Sequence, residues 1–374
     1  MIQGIHLTLL IGPMVPIPAP QSVMDALVSV KVTSGKDRSG FQITFAVSKR
    51  SPLLTTMLPA GYFDPMVTRV ILIVTLGGLP NVIMDGIVTN QELTPSNEPG
   101  QSTLTITGSD LSVLMNVVEV TRPMPPGQET QVRLILLPYL MFGVTPIVIP
   151  PLFTDFLPPT ELIRSQTSTD LDYIRTTATR CGYVFYIEPG PLPGQSLAYF
   201  GPDIRIPVPQ PALNVNMDAE TNVESLSFSL DGLAKELLVI TVMDPITDKV
   251  LIPIPIPDVN LLQPPLGLRP TPPAKVTLSR TMAGEKVPGL LNRILGQLLK
   301  GSNTAITASG TLDVLRYGRV LRSRMLVGVR GASLAYDGLY YVDSVTHDLK
   351  RGEYKQSFQL SRDGLISNTP KVPV

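Results

Sequence analysis

The sequence has no tryptophan, one cysteine and two histidines among 374 residues. Each shortage excludes something. Without tryptophan the chain lacks the usual platform for sugar stacking, which weighs against a glycan-binding protein. With Cys181 alone no intrachain disulfide can form, as suits folding in a reducing compartment. With only His6 and His347, a metal site would need carboxylates alone. No G-x-S-x-G, P-loop or H-E-x-x-H motif occurs. A cell-wall hydrolase of the lysozyme type would need a helical block holding a Glu in an apolar cleft, and no such block is legible. Charge is also scarce: 16% of residues, with 30 Lys+Arg balancing 30 Asp+Glu. That balance lacks the basic excess of a nucleic-acid surface. Uninterrupted apolar runs are missing too. The first run has no Lys or Arg before it and meets prolines after Gly12, so it reads as neither a signal peptide nor a span. Leu134–Pro151 carries four prolines and follows Arg133, so it is expected to be a buried or interface strand.

Proline is abundant. The 38 prolines are about twice the usual ~5% share. They cluster at Pro13–Pro20, Pro146–Pro159, Pro189–Pro211, Pro245–Pro257 and Pro264–Pro273, and read as extended connectors between ordered blocks. Hydrophobic residues make up 43%, enough for several cores, and the length suits two to four domains.

Residues 1–24 read as an extended N-terminal arm whose alternation at His6, Thr8 and Leu10 fits a strand added to a neighbour. Residues 25–121 form a first β-barrel domain, with strands at Leu27–Thr33, Phe41–Ser48, Thr68–Leu76, Pro80–Glu92 and Thr103–Gly108. A short helical segment follows, capped by Asp110. Residues 122–215 read as an α+β insertion domain. Its helix over Ser168–Gly182 has acidic residues first, Arg180 in the last turn and Gly182 as its stop. Residues 216–363 carry connecting strands and a second β-barrel domain, with a helix predicted over 286–300 by its 3.6-residue apolar period. Pro253–Pro257 fits a polyproline segment or an edge strand. A meander of Met325–Val329, Gly338–His347 and Glu353–Ser361 closes the domain, and 364–374 reads as a frayed C-terminal tail. The fold class is thus mainly β with an α+β insertion.

The closing meander has an earlier counterpart. Asp85-Gly86 and Asp337-Gly338 each open a strand, and Asp110 and Asp363 each follow an alternating one. An apolar strand precedes each copy. The pattern reads as two related antiparallel barrels in one chain. Three such chains around an axis would present six near-equivalent units and could join a six-fold partner to a three-fold one.

Individual chemistry-bearing residues have plain readings. His347 ends a strand and reads as a packing or hydrogen-bonding histidine. Cys181 lies on the apolar face of its helix. Asp170 and Asp172 balance a helix N-terminus, although with Glu188 they could be imagined as an acid/base group. Arg316, Arg319, Arg322, Arg324 and Arg330 form a basic run suited to an interchain or tube contact.

The motif Asp337, Gly338, Tyr340, Val342, Val345, His347, Tyr354, Phe358, Leu360 and Arg362 resembles the closing segment of phage late control protein D and of the hub portion of VgrG. Asp170, Leu171, Tyr173, Ile174, Gly182, Tyr183 and Phe185 are similar to the family's helix and strand in the insertion, with Leu171 where an aromatic is usual. The opening LLIGPMVPIPAPQSVMDALVSVKVT resembles hub proteins of contractile injection systems. The resemblance implies a structural baseplate hub: a homotrimer adapting the six-fold inner tube above to the three-fold spike below, in contact with other baseplate components. It implies no enzyme activity, no catalytic, metal or cofactor site, no cofactor, no nucleic-acid binding of its own and no membrane span. No neck or β-prism follows residue 374, which implies a separate spike protein. Such a protein would be cytoplasmic during assembly and then part of a phage-tail-like particle. The alternative is a tail-associated cell-wall hydrolase or a glycan-binding tip protein.

Overall fold

The computed structural model describes residues 4–36, 38–98, 101–151, 165–243, 250–256, 263–280 and 304–369. The chain opens with β1 (Ile5–Gly12), β2 (Ile17–Pro18), a short helix α1 (Gln21–Ala26), β3 (Leu27–Gly35) and β4 (Ser39–Ala46). Next come β5 (Arg69–Leu76), β6 (Leu79–Thr94) and β7 (Thr103–Asp110). The insertion holds β8 (Glu119–Pro123), α2 (Gln128–Leu136), β9 (Val144–Val148), β10 (Ser165–Thr169), α3 (Asp170–Cys181), β11 (Tyr183–Pro189) and β12 (Ser196–Pro202). β13 (Ile206–Asn214) and β14 (Val223–Leu230) return to the main body. β15 (Glu236–Met243), β16 (Val250–Ile256), β17 (Gly267–Pro270) and β18 (Lys275–Arg280) follow. The chain closes with β19 (Ile306–Asp313), a one-turn α4 (Val314–Tyr317), β20 (Met325–Arg330), β21 (Gly338–Lys350), β22 (Glu353–Arg362) and β23 (Gly364–Ser367).

Most of these strands belong to one sheet, ordered β14-β19-β22-β21-β3-β4-β7-β6-β5-β1-β2, with β20 on β21 and β13 on β20. The two barrel-like units are therefore joined edge to edge by β21 and β3, and one apolar core runs beneath both. Period-two alternation builds that core. Leu104 and Ile106 point in while Thr103, Thr105 and Thr107 point out. β5 breaks the rule because both of its faces are covered. Val70, Leu72 and Val74 join the main core, while Ile71 and Ile73 pack with Val82 in a separate cluster. That explains its unbroken apolar sequence.

The duplication is real, but its residue correspondence is not the one the Asp-Gly pairs suggest. Each unit carries a four-strand run, β3-β4-β7-β6 or β14-β19-β22-β21. In each, the first pair skips one residue, Val28 or Glu224. In each, the last pair skips one more, Thr89 or Asp343. Matching these bulges makes every other pairing agree: Gly40 opposite Ser109 becomes Thr307 opposite Ser361, and Phe45 opposite Leu104 becomes Leu312 opposite Gln356. Asp85 then matches Leu339, not Asp337. Asp85 lies inside β6, whereas Asp337 precedes β21 and accepts bonds from the Ala332 and Ser333 backbones.

Other expectations need correction. Ile5–Gly12, read as part of an extended arm, pairs along its whole length with β5 of the same chain. β5 is consequently not an edge, because β6 takes its other side. Leu134–Pro151 is not a single strand. It finishes α2, makes a 3-10 turn over Leu137–Phe142, ends at Gly143 with φ 75°, and only then enters β9. Gly364–Ser367, read as a frayed tail, pairs with β17. The helix predicted over 286–300 lies outside the described residues. α3 forms as expected, with Thr169 capping Asp172 and Gly182 closing it at φ 68°. β16 is an edge strand on β15.

Candidate assembly interface

Each four-strand run of the main sheet leaves one edge open. β14 pairs only with β19. β6 pairs with β5 through its first half and with β7 through its second, so the other edge of Asn90–Thr94 has no strand beside it. Bare edges of this length invite pairing with another chain. Between them lie eight consecutive strands.

The exposed face of those eight strands is rich in small hydroxyl residues. Ser225 meets Thr311 at 2.8 Å, Ser227 meets Ser309 at 3.0 Å, and Thr33 meets Thr346 at 3.3 Å. Charges on the face are largely paired: Lys355 with Glu224 and Glu353, and Lys350 with Asp348.

The seam between β21 and β3 shows how one unit grips the next. Ser344 to Lys350 pair with Gly35 to Ser29 in antiparallel register. Above it, the Ser34 and Ser323 hydroxyls lie 2.8 Å apart. Arg324 follows, buried and in the left-handed region at φ 60°. A side chain there carries a backbone cost of order 1–3 kcal/mol, which its contacts offset. Its guanidinium donates to the carbonyls of Gly35 (2.6 Å) and Lys36 (3.2 Å) across the seam. It also stacks 3.9 Å from the Tyr186 ring centroid and reaches Glu188 at 3.6 Å. One residue of the second unit thus holds the first unit and the insertion together. Beside it lies a cavity of ≈ 360 Å³ bordered by Glu188, Tyr199, Asp203, Arg322 and His347. Burial pushes the Glu188 carboxyl above the usual range, against the pull of Arg324 and Arg322.

A second anchor holds the insertion to the first unit. Arg69 donates to both Asp85 oxygens at 2.7 and 2.6 Å, and both side chains are almost fully buried. Ser196 donates to Asp85 and Arg69 to the Gly194 carbonyl, so the β11–β12 turn is tied in.

The residues singled out in the sequence have structural settings. His347 is 4% exposed, with Nδ1 2.6 Å from the Tyr354 hydroxyl and 3.3 Å from Gln356 Nε2. Gln356 is fixed by both backbone groups of Leu321, so its N–H faces the histidine and Nδ1 is the acceptor. Burial depresses the imidazole pKa to about 3. Cys181 is half-buried against the insertion core. Asp170 is held by Arg122, Gln166 and Tyr139, whereas Glu188 faces Arg324, so the imagined acid/base group divides between separate partners. Of the basic run, Arg324 is the seam residue. Among the described residues no cluster of three His, Cys, Asp or Glu could hold a metal, and no helix is long and apolar enough to cross a membrane. Arg69 begins an apolar strand, and its one signal in the sequence is a charge at the head of that run.

No protein-family model matches the chain, and no curated protein matches it in sequence. Solved structures do match in fold. The tail protein from Neisseria meningitidis is 13% identical at TM-score 0.62, over 97% of this chain and 98% of that one. The 43 kDa tail protein of prophage MuSo2 from Shewanella oneidensis is 12% identical at TM-score 0.61, over 97% and 100%. A chain of the Francisella PdpA-VgrG complex is 9% identical at TM-score 0.55, over 99% of this chain and 54% of that one. The chain has the mainly β, barrel-like fold of these tail proteins.

Proposed function

We propose that the chain is a non-enzymatic baseplate hub subunit that assembles as a trimer and adapts a six-fold inner tube to a three-fold spike. The observation that carries this reading is the repeated four-strand run with a free edge at each end. Three copies of eight strands, 24 in all, make a ring whose symmetry is three-fold by chain and nearly six-fold by unit. With strands spaced ~4.8 Å and tilted ~40°, such a ring has a backbone diameter of ~48 Å, wide enough to continue a tube. The likeness in fold to phage tail proteins supports the same reading. Residues 25–121 and 216–363 would supply the two ring units, and residues 122–215 the insertion clamped over their junction. The particle would be assembled in the cytoplasm, with the inner tube, the spike and other baseplate components as partners.

Coexpression with the tube and spike proteins of the same particle tests this. The expected product is one complex of tube, three hub chains and spike in electron micrographs. A six-copy ring of this chain, or a chain that binds neither neighbour, would overturn it.

A further inference from the structure

The two repeats disclose the seam between copies in residue detail, given the ring reading above. In the seam inside the chain, β21 after its bulge at Asp343 pairs with β3 after its bulge at Val28. The counterpart bulges are Thr89 in β6 and Glu224 in β14, and these are the strands with free edges. Counting from the bulges, Ser344 corresponds to Asn90 and Gly35 to Asp231. We propose that Asn90–Thr94 of one copy pairs antiparallel with Ser227–Asp231 of the next. Asn90 then faces Asp231, Glu92 faces Ser229, and Leu93 faces Phe228.

The correspondence extends above the strands. Arg324 donates its N–H to the Val342 carbonyl at 2.8 Å, with φ 60°. Met66 donates to the Val88 carbonyl at 2.7 Å, with φ 64°. Val88 and Val342 each stand just before a bulge, so Met66 is the counterpart of Arg324. Pro65 is then the counterpart of Ser323, and Leu230 that of Ser34. The hydroxyl contact of Ser34 with Ser323 becomes an apolar contact of Leu230 with Pro65. Arg324 above Gly35 becomes Met66 beside Asp231 and Gly232.

This placement accounts for side chains that are otherwise stranded in water. Met66, Val67, Leu230 and Leu233 are 38%, 59%, 43% and 78% exposed in the single chain. The counterpart positions gather Met66 and Leu230 at one point of the seam, with Val67 and Leu233 as their sequence neighbours. Leu93, 43% exposed, meets Phe228 below. The two kinds of seam therefore differ in chemistry. The one within the chain is clasped by a buried arginine, and the one between chains is closed by apolar contacts. Burying apolar surface needs no prior charge match, which suits a joint that must form between separate molecules.

Disulfide trapping tests the register. Glu92→Cys with Ser229→Cys, in the full chain under mild oxidant, should give covalent dimers and trimers on a denaturing gel. Glu92→Cys with Ser225→Cys, four residues out of register, should not, and neither should each single variant. Separately, Leu233→Lys should weaken the trimer at least ten-fold by dilution. Leu334→Lys, at a 91% exposed position in the β20–β21 turn, should leave it unchanged. A trimer that fails to cross-link at Glu92 and Ser229, or that cross-links equally out of register, overturns this seam and leaves the hub reading standing. A chain that stays monomeric at high concentration overturns both.

Discussion

The buried pair of Arg69 and Asp85 offers a test of how the insertion is held. Replacing Asp85 by Leu leaves the guanidinium of Arg69 buried with only the Gly194 carbonyl (3.2 Å) and the Met14 carbonyl (3.4 Å). Breaking one side of a buried pair costs ~3–5 kcal/mol. The second repeat shows that the pair itself is replaceable. The counterparts of Arg69 and Asp85 are Leu326 and Leu339, and both lie in a small apolar cluster with Tyr341. Arg69→Leu with Asp85→Leu should therefore recover most of the loss. The remaining cost is the bond of Ser196 to Asp85, ~1–2 kcal/mol for a buried hydroxyl left without a partner. Urea unfolding followed by tyrosine fluorescence measures both variants, and the absence of tryptophan leaves that signal clear. A cost under ~1 kcal/mol for Asp85→Leu, or a double variant as unstable as the single, would show that the pair does not hold the insertion in this way.

Arg362 is fully buried, stacks 4.5 Å from the Tyr340 ring centroid and donates to the carbonyls of Ala335, Asp337 and Gly364. Arg362→Met should cost ~3 kcal/mol or more by leaving those carbonyls unpaired, and Arg362→Lys should restore little, as thermal melts will show. Gly108→Ala places a methyl 2.3 Å from both the Ile87 carbonyl and the Phe41 ring, so it should cost ~1–3 kcal/mol in the same assay. His347 gives a pH dependence. Its folded pKa of about 3 lies below the unfolded ~6.5, so the unfolded chain takes the proton first. That stability is complete above pH ~6.5 and falls as pH drops towards 3, by ~1.4 kcal/mol at pH 5.5. Burial raises the Glu188 and Asp343 carboxyls, and these act in the opposite sense at lower pH, where the folded state holds protons more readily. Comparing unfolding at pH 7.5 and 5.5 for wild type and His347→Gln isolates the histidine, and an equal slope in the two would reject the assignment.

Local pattern carried much of the fold. The strands of the closing meander, the Gly182 stop of α3 and the mainly β class follow from period and punctuation. The duplication was legible for a partly mistaken reason. Asp-Gly is a common turn pair, and it drew together Asp85 and Asp337, which hold different places. The matching features are the bulges at Thr89 and Asp343 and the left-handed Met66 and Arg324, and none of these has a residue-type signature. Pairing partners were equally hidden. Nothing in Ile5–Gly12 specifies β5, and nothing in β3 specifies β21, because strand pairing is decided by what the rest of the chain leaves open. Arg324 could be placed only as part of a basic run. Its contacts come from two distant segments, one at Gly35 and one in β11 at Tyr186 and Glu188.

Native mass spectrometry of the purified chain counts the copies in the assembly. The chain mass is 40.5 kDa, and a trimeric hub gives a species of three times that mass that persists on dilution into the low micromolar range. A monomer, a dimer or a six-chain ring as the stable species would contradict it.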